Sequence, residues 1–201
     1  MSSVPQWHGY SDPLKPQKST DNDAKALSII KSMRLLRDFF AGHVEYVFNS
    51  RLGMPSVAVT DYITDMLVLF HETKEMFKLR DLRGQVICSL SSMLQEAQHR
   101  VGEAKGAANR YIGDYALFIV GYYPEQIKLS AKSGTEDSLL DFRQTGKRAY
   151  HIASKAPPRG ADPEVLEALG DDFELYSFAL SEVRGSIDKD RDPGQPLIII
   201  K

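Results

Sequence analysis

In two long stretches of this chain the apolar residues return every three or four positions, and nowhere do they alternate. From Asp23 onward Ala26, Ile29, Ile30, Met33, Leu36, Phe40, Val44 and Val47 keep this spacing, and Val59, Tyr62, Ile63, Met66, Leu67 and Phe70 keep it more strictly. A period near 3.6 residues puts such positions on one face of an α-helix, whereas a half-buried strand needs a period of two. Without an alternating stretch there is nothing from which to build a sheet. The expected fold class is therefore all-α: a single-domain bundle of roughly six to eight helices with a flexible N-terminal arm.

Punctuation along the chain sets the expected boundaries. Residues 1–22 are rich in Pro, Ser and Lys and read as an arm, residues 23–186 as the helical domain and residues 187–201 as a polar tail. Trp7 and Tyr10 in the arm are candidates for docking on the body or on a partner. Gly53 is placed to end the first helix as a left-handed cap, and Pro55 suits the first turn of the next. A third helix through Val86, Ile87, Leu90, Met93, Leu94 and Ala97 is expected to run on into a glycine-bearing segment. Ser138 is a candidate cap for a helix holding Leu139, Phe142, Tyr150 and Ala153, which Pro157 and Pro158 break. Asp162-Pro163-Glu164 combines a cap, a proline at the first position and an acid in the first turn, Gly170 is expected to stop that helix, and Leu175, Tyr176, Ala179, Leu180 and Val183 mark the last.

Bulk properties exclude several classes. At 201 residues the chain fits one domain with a substantial core. The 25 basic and 27 acidic residues leave a net charge of −2, so no overall field draws in nucleic acid or an anionic membrane. The longest apolar run, Tyr115 to Pro124, falls far short of the ~20 residues that span a bilayer. A lone cysteine, Cys88, has no partner for an internal disulfide and favours a reducing compartment, and no secretory signal opens the chain. A cytoplasmic protein is expected, with neither nucleic acid nor membrane as a partner.

The segment from His99 to Glu125, HRVGEAKGAANRYIGDYALFIVGYYPE, carries the densest information. If residues 96–122 form one helix, Gly102, Gly106, Asn109, Gly113, Ala116 and Val120 make a small stripe. Each in-helix glycine costs about 1 kcal/mol relative to alanine, so close helix crossing is the expected compensation. A neighbouring stripe holds Glu96, His99, Glu103, Arg110 and Asp114. Glu96 and His99 have the E-x-x-H spacing of carboxylate-bridged di-iron bundles, but a second such motif is missing, so Glu96, His99 and Glu103 are weak metal candidates only. His71-Glu72 begins like a zinc-protease helix, yet Glu75 stands where the second histidine belongs. Asp114, set among Tyr111, Ile112, Tyr115 and Phe118, is the odd residue: a buried carboxylate needs a partner, and Arg110 one turn earlier, tyrosine hydroxyls or a cap role are the options. Arg110, Tyr111, Asp114 and Tyr115 are the candidates for holding a small molecule; no catalytic residue is assigned and no cofactor is expected.

The word R-x-I-G-D-x-A-L-F-x-x-G-x-x-P-E, here Arg110 to Glu125, resembles the recurring core of a family of bacterial helical proteins of unknown function. The resemblance runs from the helix near Leu35 through the last helix and implies a compact helical domain, with no activity attached. Tyr111-Ile112-Gly113-Asp114 is also similar to the glycine–aspartate helix of haem oxygenases, but lacks the glycine run that follows there and a proximal histidine near the N-terminus. No nucleophile elbow, phosphate loop or dinucleotide fingerprint occurs, and Cys88, His43, His71 and His151 read as core or solvated residues.

Charge is segregated near the C-terminus. Arg143, Lys147, Arg148, Lys155 and Arg159 precede an acidic block from Asp162 to Glu182. The two blocks are expected to face one another or to pair across a twofold axis, and a homodimer is expected. The leading expectation is a non-catalytic or small-ligand-binding helical domain. The rivals are a metal- or cofactor-dependent oxidoreductase using Glu96, His99, Glu103 and Asp114, and an adaptor acting through its arm.

Overall fold

The computed structural model describes residues 19–71, 84, 89–125, 127 and 139–190. The fold is all-α, with seven α-helices and no strand among the described residues. Trp7, Tyr10, the Glu72–Glu75 motif, Val86, Ile87, Cys88, Ser138 and the end of the tail lie outside them. The chain divides into two units, one ending at Leu35 and the other beginning at Leu36.

Helix α1 spans Ser19–Glu45, and a π-helical turn, Tyr46–Arg51, follows it. In the first unit every described side chain from Lys25 to Leu35 is exposed. In the second, Phe40, Val44, Val47 and Phe48 are buried, so this part of the apolar stripe reaches the core. Gly53 ends the run at φ +63°, the left-handed conformation anticipated for it. Helix α2, Val57–His71, starts two residues after Pro55 rather than around it, because Ser56 supplies the cap: its hydroxyl accepts from the Val59 amide at 3.4 Å.

The single helix imagined over residues 96–122 is two. Helix α3, Leu90–Gln98, is capped by Ser89, and after a break at His99–Val101 helix α4 runs Gly102–Leu117 and ends in a second π-helical turn, Phe118–Tyr122. The cause lies in Val101, extended at φ −129° and ψ 158°, and in Gly102 at φ +54°, where a side chain would be strained. Gly102 thus belongs to the junction and not to the small stripe.

The remaining glycines of the stripe act in packing. A Cβ on Gly106 would fall 1.7 Å from the Ala156 carbonyl oxygen, and one on Gly113 would fall 2.8 Å from the Tyr150 ring. Both neighbours belong to helix α5, Leu139–Lys155, or the turn just after it. Gly121 does the same against the Ser177 carbonyl of helix α7, Phe173–Lys189, at 2.6 Å. Helix α4 can therefore lie at the centre of the second unit, packed on α3, α5 and α7. Arg184 of α7 closes that contact by donating from Nη1 to the Tyr122 carbonyl at 3.0 Å and to Glu125 at 2.7 Å.

Helix α6, Pro163–Asp171, begins as expected, with the Asp162 carboxylate accepting from the Glu164 amide at 2.9 Å. Gly170 does not terminate it. That glycine lies buried within the helix, where a Cβ would meet the His151 ring at 2.9 Å. Likewise α7 continues past Gly185 to Lys189, and Leu175 is exposed while Phe173 and Tyr176 carry that end of the core. The opposed charge blocks do meet: Lys147 pairs with Glu174 at 3.0 Å, and the His151 imidazole lies 3.6 Å from Asp171. No described helix is long and apolar enough to cross a membrane.

Candidate functional site

Three helices converge on Asp114. Helix α4 provides Arg110 and Asp114 one turn apart, α2 provides Tyr62 from its core-facing stripe, and α5 provides Tyr150. The absent side chain at Gly113 lets the Tyr150 ring lie flat against α4, so its hydroxyl arrives beside the neighbouring carboxylate. Asp114 is 5% exposed and Tyr150 is fully buried.

One carboxylate oxygen, Oδ1, accepts from the Tyr62 hydroxyl at 2.5 Å and from the Tyr150 hydroxyl at 2.9 Å. The other, Oδ2, lies 3.7 Å from Arg110 Nε. Arg110 Nε donates to the Tyr62 hydroxyl at 3.0 Å, and its guanidinium sits 5.0 Å over the Tyr62 ring. Tyr62 is thereby a relay: its oxygen accepts from the arginine and passes a donor on to the aspartate. Burial pushes the Asp114 carboxyl above its ordinary value, opposed by Arg110 and by the two tyrosine donors. Burial also raises both phenols well above theirs, with the Asp114 charge acting in the same direction. Both hydroxyls therefore stay protonated and remain donors through the neutral range. Chemically the cluster is a hydrogen-bonded hub that ties α2, α4 and α5 together.

The other proposed site residues are distributed differently. Tyr111 and Tyr115 stack on each other with centroids 6.5 Å apart. Tyr111 also meets Phe70 edge-on at 6.1 Å, and Tyr115 leans on Phe142 at 6.0 Å, so their rings belong to the aromatic packing beside the hub. The break after α3 disperses the polar stripe. Glu96 is buried against Arg100 Nε at 3.1 Å, His99 is exposed in the break, and Glu103 accepts from the Arg159 amide at 2.8 Å. Glu96, His99, Glu103 and Asp114 are not brought together, and no three His, Cys, Asp or Glu side chains among the described residues are grouped to hold a metal ion.

Sequence reasoning had Arg110 and tyrosines in general as partners for Asp114, and missed which tyrosines. The only available signal was their polar tip in an otherwise apolar stripe. A second polar group gave no signal at all. His43 Nδ1 lies 3.0 Å from the Ser186 hydroxyl and its Nε2 lies 4.0 Å from Asp190, in a surface concavity of about 660 Å³ that Phe39, Tyr46 and Arg51 also line. The 4.0 Å spacing is beyond hydrogen-bond range and Asp190 is exposed, so this trio stops short of a serine–histidine–aspartate relay.

No family model, no curated protein and no solved structure matches this chain. The functional reading therefore rests on the residues themselves.

Proposed function

We propose that this protein is a non-catalytic helical domain that acts by binding and self-associates, and that Asp114 is its structural keystone. The observation that carries this reading is how Asp114 is held: two tyrosine hydroxyls donate to Oδ1 and Arg110 pairs with Oδ2 at 3.7 Å. The side chain with the environment most suited to acid–base chemistry has Oδ1 engaged by two hydroxyls and Oδ2 facing an arginine. A general acid or base must reach a substrate proton within about 3 Å, and at Oδ1 two tyrosine hydroxyls already occupy that distance. A cytoplasmic setting fits the single cysteine of the sequence.

The test is a broad hydrolase and oxidoreductase screen on purified protein, with elemental analysis of the same sample. The reading expects no turnover, no stoichiometric iron, manganese or zinc, and an Asp114→Asn variant that is less stable. Turnover abolished by Asp114→Asn in a still-folded protein would refute it, as would bound metal lost on His99→Ala.

A further inference from the structure

The concavity of about 660 Å³ around His43 lies wholly within the second unit, between the end of α1 and the end of α7. Phe39, Gly42, His43 and Tyr46 recur at helical spacing and bring one face of α1 to it, and Ser186, Lys189 and Asp190 do the same from α7. Its size is that of a small-molecule site, in which a few polar groups beside aromatic walls give selectivity. Gly42 is the feature that packing does not explain. A glycine inside a helix is destabilising, and unlike Gly106 and Gly113 this one meets nothing within 4 Å. Its bare backbone instead leaves the concavity open between Phe39 and Tyr46, whose side chains are 45% and 53% exposed. Those two stand seven residues apart, about 10 Å along the helix axis, a gap that admits one benzene ring. Tyr46 and Arg51 also bound the π-helical turn, a backbone irregularity that recurs at functional sites.

We propose that this concavity binds a free aromatic amino acid in its zwitterionic form. The proposal rests on the binding role read above and names its site and its ligand. Charge selects the ligand. Arg51 is already matched by Glu182. Lys189 has no ion pair among the described residues, and the Asp190 carboxylate has only the His43 ring, at 4.0 Å. An anion alone would leave Asp190 unanswered and a cation alone would leave Lys189 so, whereas a zwitterion offers each its opposite. His43 and Ser186 add to the carboxylate side, because their 3.0 Å hydrogen bond uses only one of their two protons. With the proton on Nδ1, the imidazole donates to the Ser186 oxygen and the serine O–H is left over. With the proton on Nε2, the serine donates to Nδ1 and Nε2–H is left over. Either tautomer therefore keeps one donor for a carboxylate. The ring of the ligand lies over Gly42, flanked by Phe39 and Tyr46 in the offset or edge-on contacts that aromatic pairs prefer.

Ligand-observed NMR titration of the full-length protein with L-phenylalanine, 3-phenylpropionate and phenethylamine separates the zwitterion from its two halves. The expected result is a dissociation constant on the order of 1 mM or tighter for phenylalanine, with each half at least about 10-fold weaker. Lys189→Ala should weaken phenylalanine by about 10-fold and leave phenethylamine unchanged, and Asp190→Asn should weaken phenylalanine similarly and leave 3-phenylpropionate unchanged. Gly42→Leu, whose side chain enters open space, should keep the helical circular dichroism of the wild type and lose binding of all three. Absence of binding by any probe at about 10 mM overturns this proposal and leaves the non-catalytic reading to its own screen. Binding of 3-phenylpropionate or phenethylamine as tight as that of phenylalanine overturns the zwitterion, and binding untouched by both Gly42→Leu and Lys189→Ala overturns the site. Consumption of phenylalanine on incubation, followed by chromatography, refutes the non-catalytic reading instead while the site stands.

Discussion

Replacing Gly113 by alanine sets two effects of opposite sign against each other at the centre of α4. Intrinsic propensity alone makes the change favourable by about 1 kcal/mol, because glycine in a helix interior is entropically costly. The tertiary structure opposes it. The new Cβ would lie 2.8–2.9 Å from three ring carbons of Tyr150, a side chain with no exposed surface and with its hydroxyl fixed on Asp114. Moving that ring costs about 1–3 kcal/mol in overpacking. It also pulls the hydroxyl away from a buried carboxylate, a loss of about 1.5–3 kcal/mol. Offset by the propensity gain, the net expectation is a destabilisation of about 1.5–5 kcal/mol. Urea denaturation followed by circular dichroism reads this directly, as a lower midpoint at unchanged slope. Gly42→Ala is the internal control: it also lies in a helix, but a Cβ there meets open space, so that variant should gain up to about 1 kcal/mol. A neutral or stabilising Gly113→Ala would refute the argument that this glycine exists to admit Tyr150.

The hub makes further demands. Tyr150→Phe leaves shape intact and removes one of two hydroxyl donors to Asp114, so it should cost about 1.5–3 kcal/mol by the same denaturation assay, and a loss under 0.5 kcal/mol would show that the bond contributes little. Asp114 is held above the ordinary carboxyl value, so the folded state binds more protons than the unfolded one in the window above about pH 4, and the stability this group confers falls as pH rises through that window. The stability gap between wild type and Asp114→Asn should accordingly narrow from acid towards neutral pH; a widening gap would mean that the Arg110 ion pair outweighs burial. Tyr62 and Tyr150 are raised well above 10, so in a spectrophotometric titration they should ionise only as the protein unfolds, and stability should drop as pH climbs past about 10. The Lys147–Glu174 pair is largely exposed, and Lys147→Ala should cost no more than about 1 kcal/mol, an effect that shrinks with added salt.

Much of the architecture was legible because helices announce themselves locally. The Val59–Phe70 spacing, the Asp162-Pro163-Glu164 start and the Gly53 stop each depend on neighbours within a turn or two, and each stands in the structure where the residues put it. The misreadings share one cause. Glycine looks the same in sequence whether it ends a helix, breaks one or admits a neighbour: Gly102 breaks, Gly106 and Gly113 admit, and Gly170, which resembled a stop, lies inside a helix because His151 needs the space. The same limit dispersed the polar stripe, since a break of three residues at His99–Val101 was enough to separate Glu96 and His99 from the face that carries Asp114.

By itself, then, the sequence determined an all-α chain, the amphipathic faces of its helices and the one aspartate that needed an explanation, all of them consequences of short-range periodicity and of the cost of burying charge. The tertiary structure alone decided what satisfies that charge. Tyr62 lies 52 positions before Asp114 and Tyr150 lies 36 after it. No local rule links such distant residues; they meet because Gly106 and Gly113 let α5 settle against α4 closely enough for a tyrosine hydroxyl to reach a buried carboxylate.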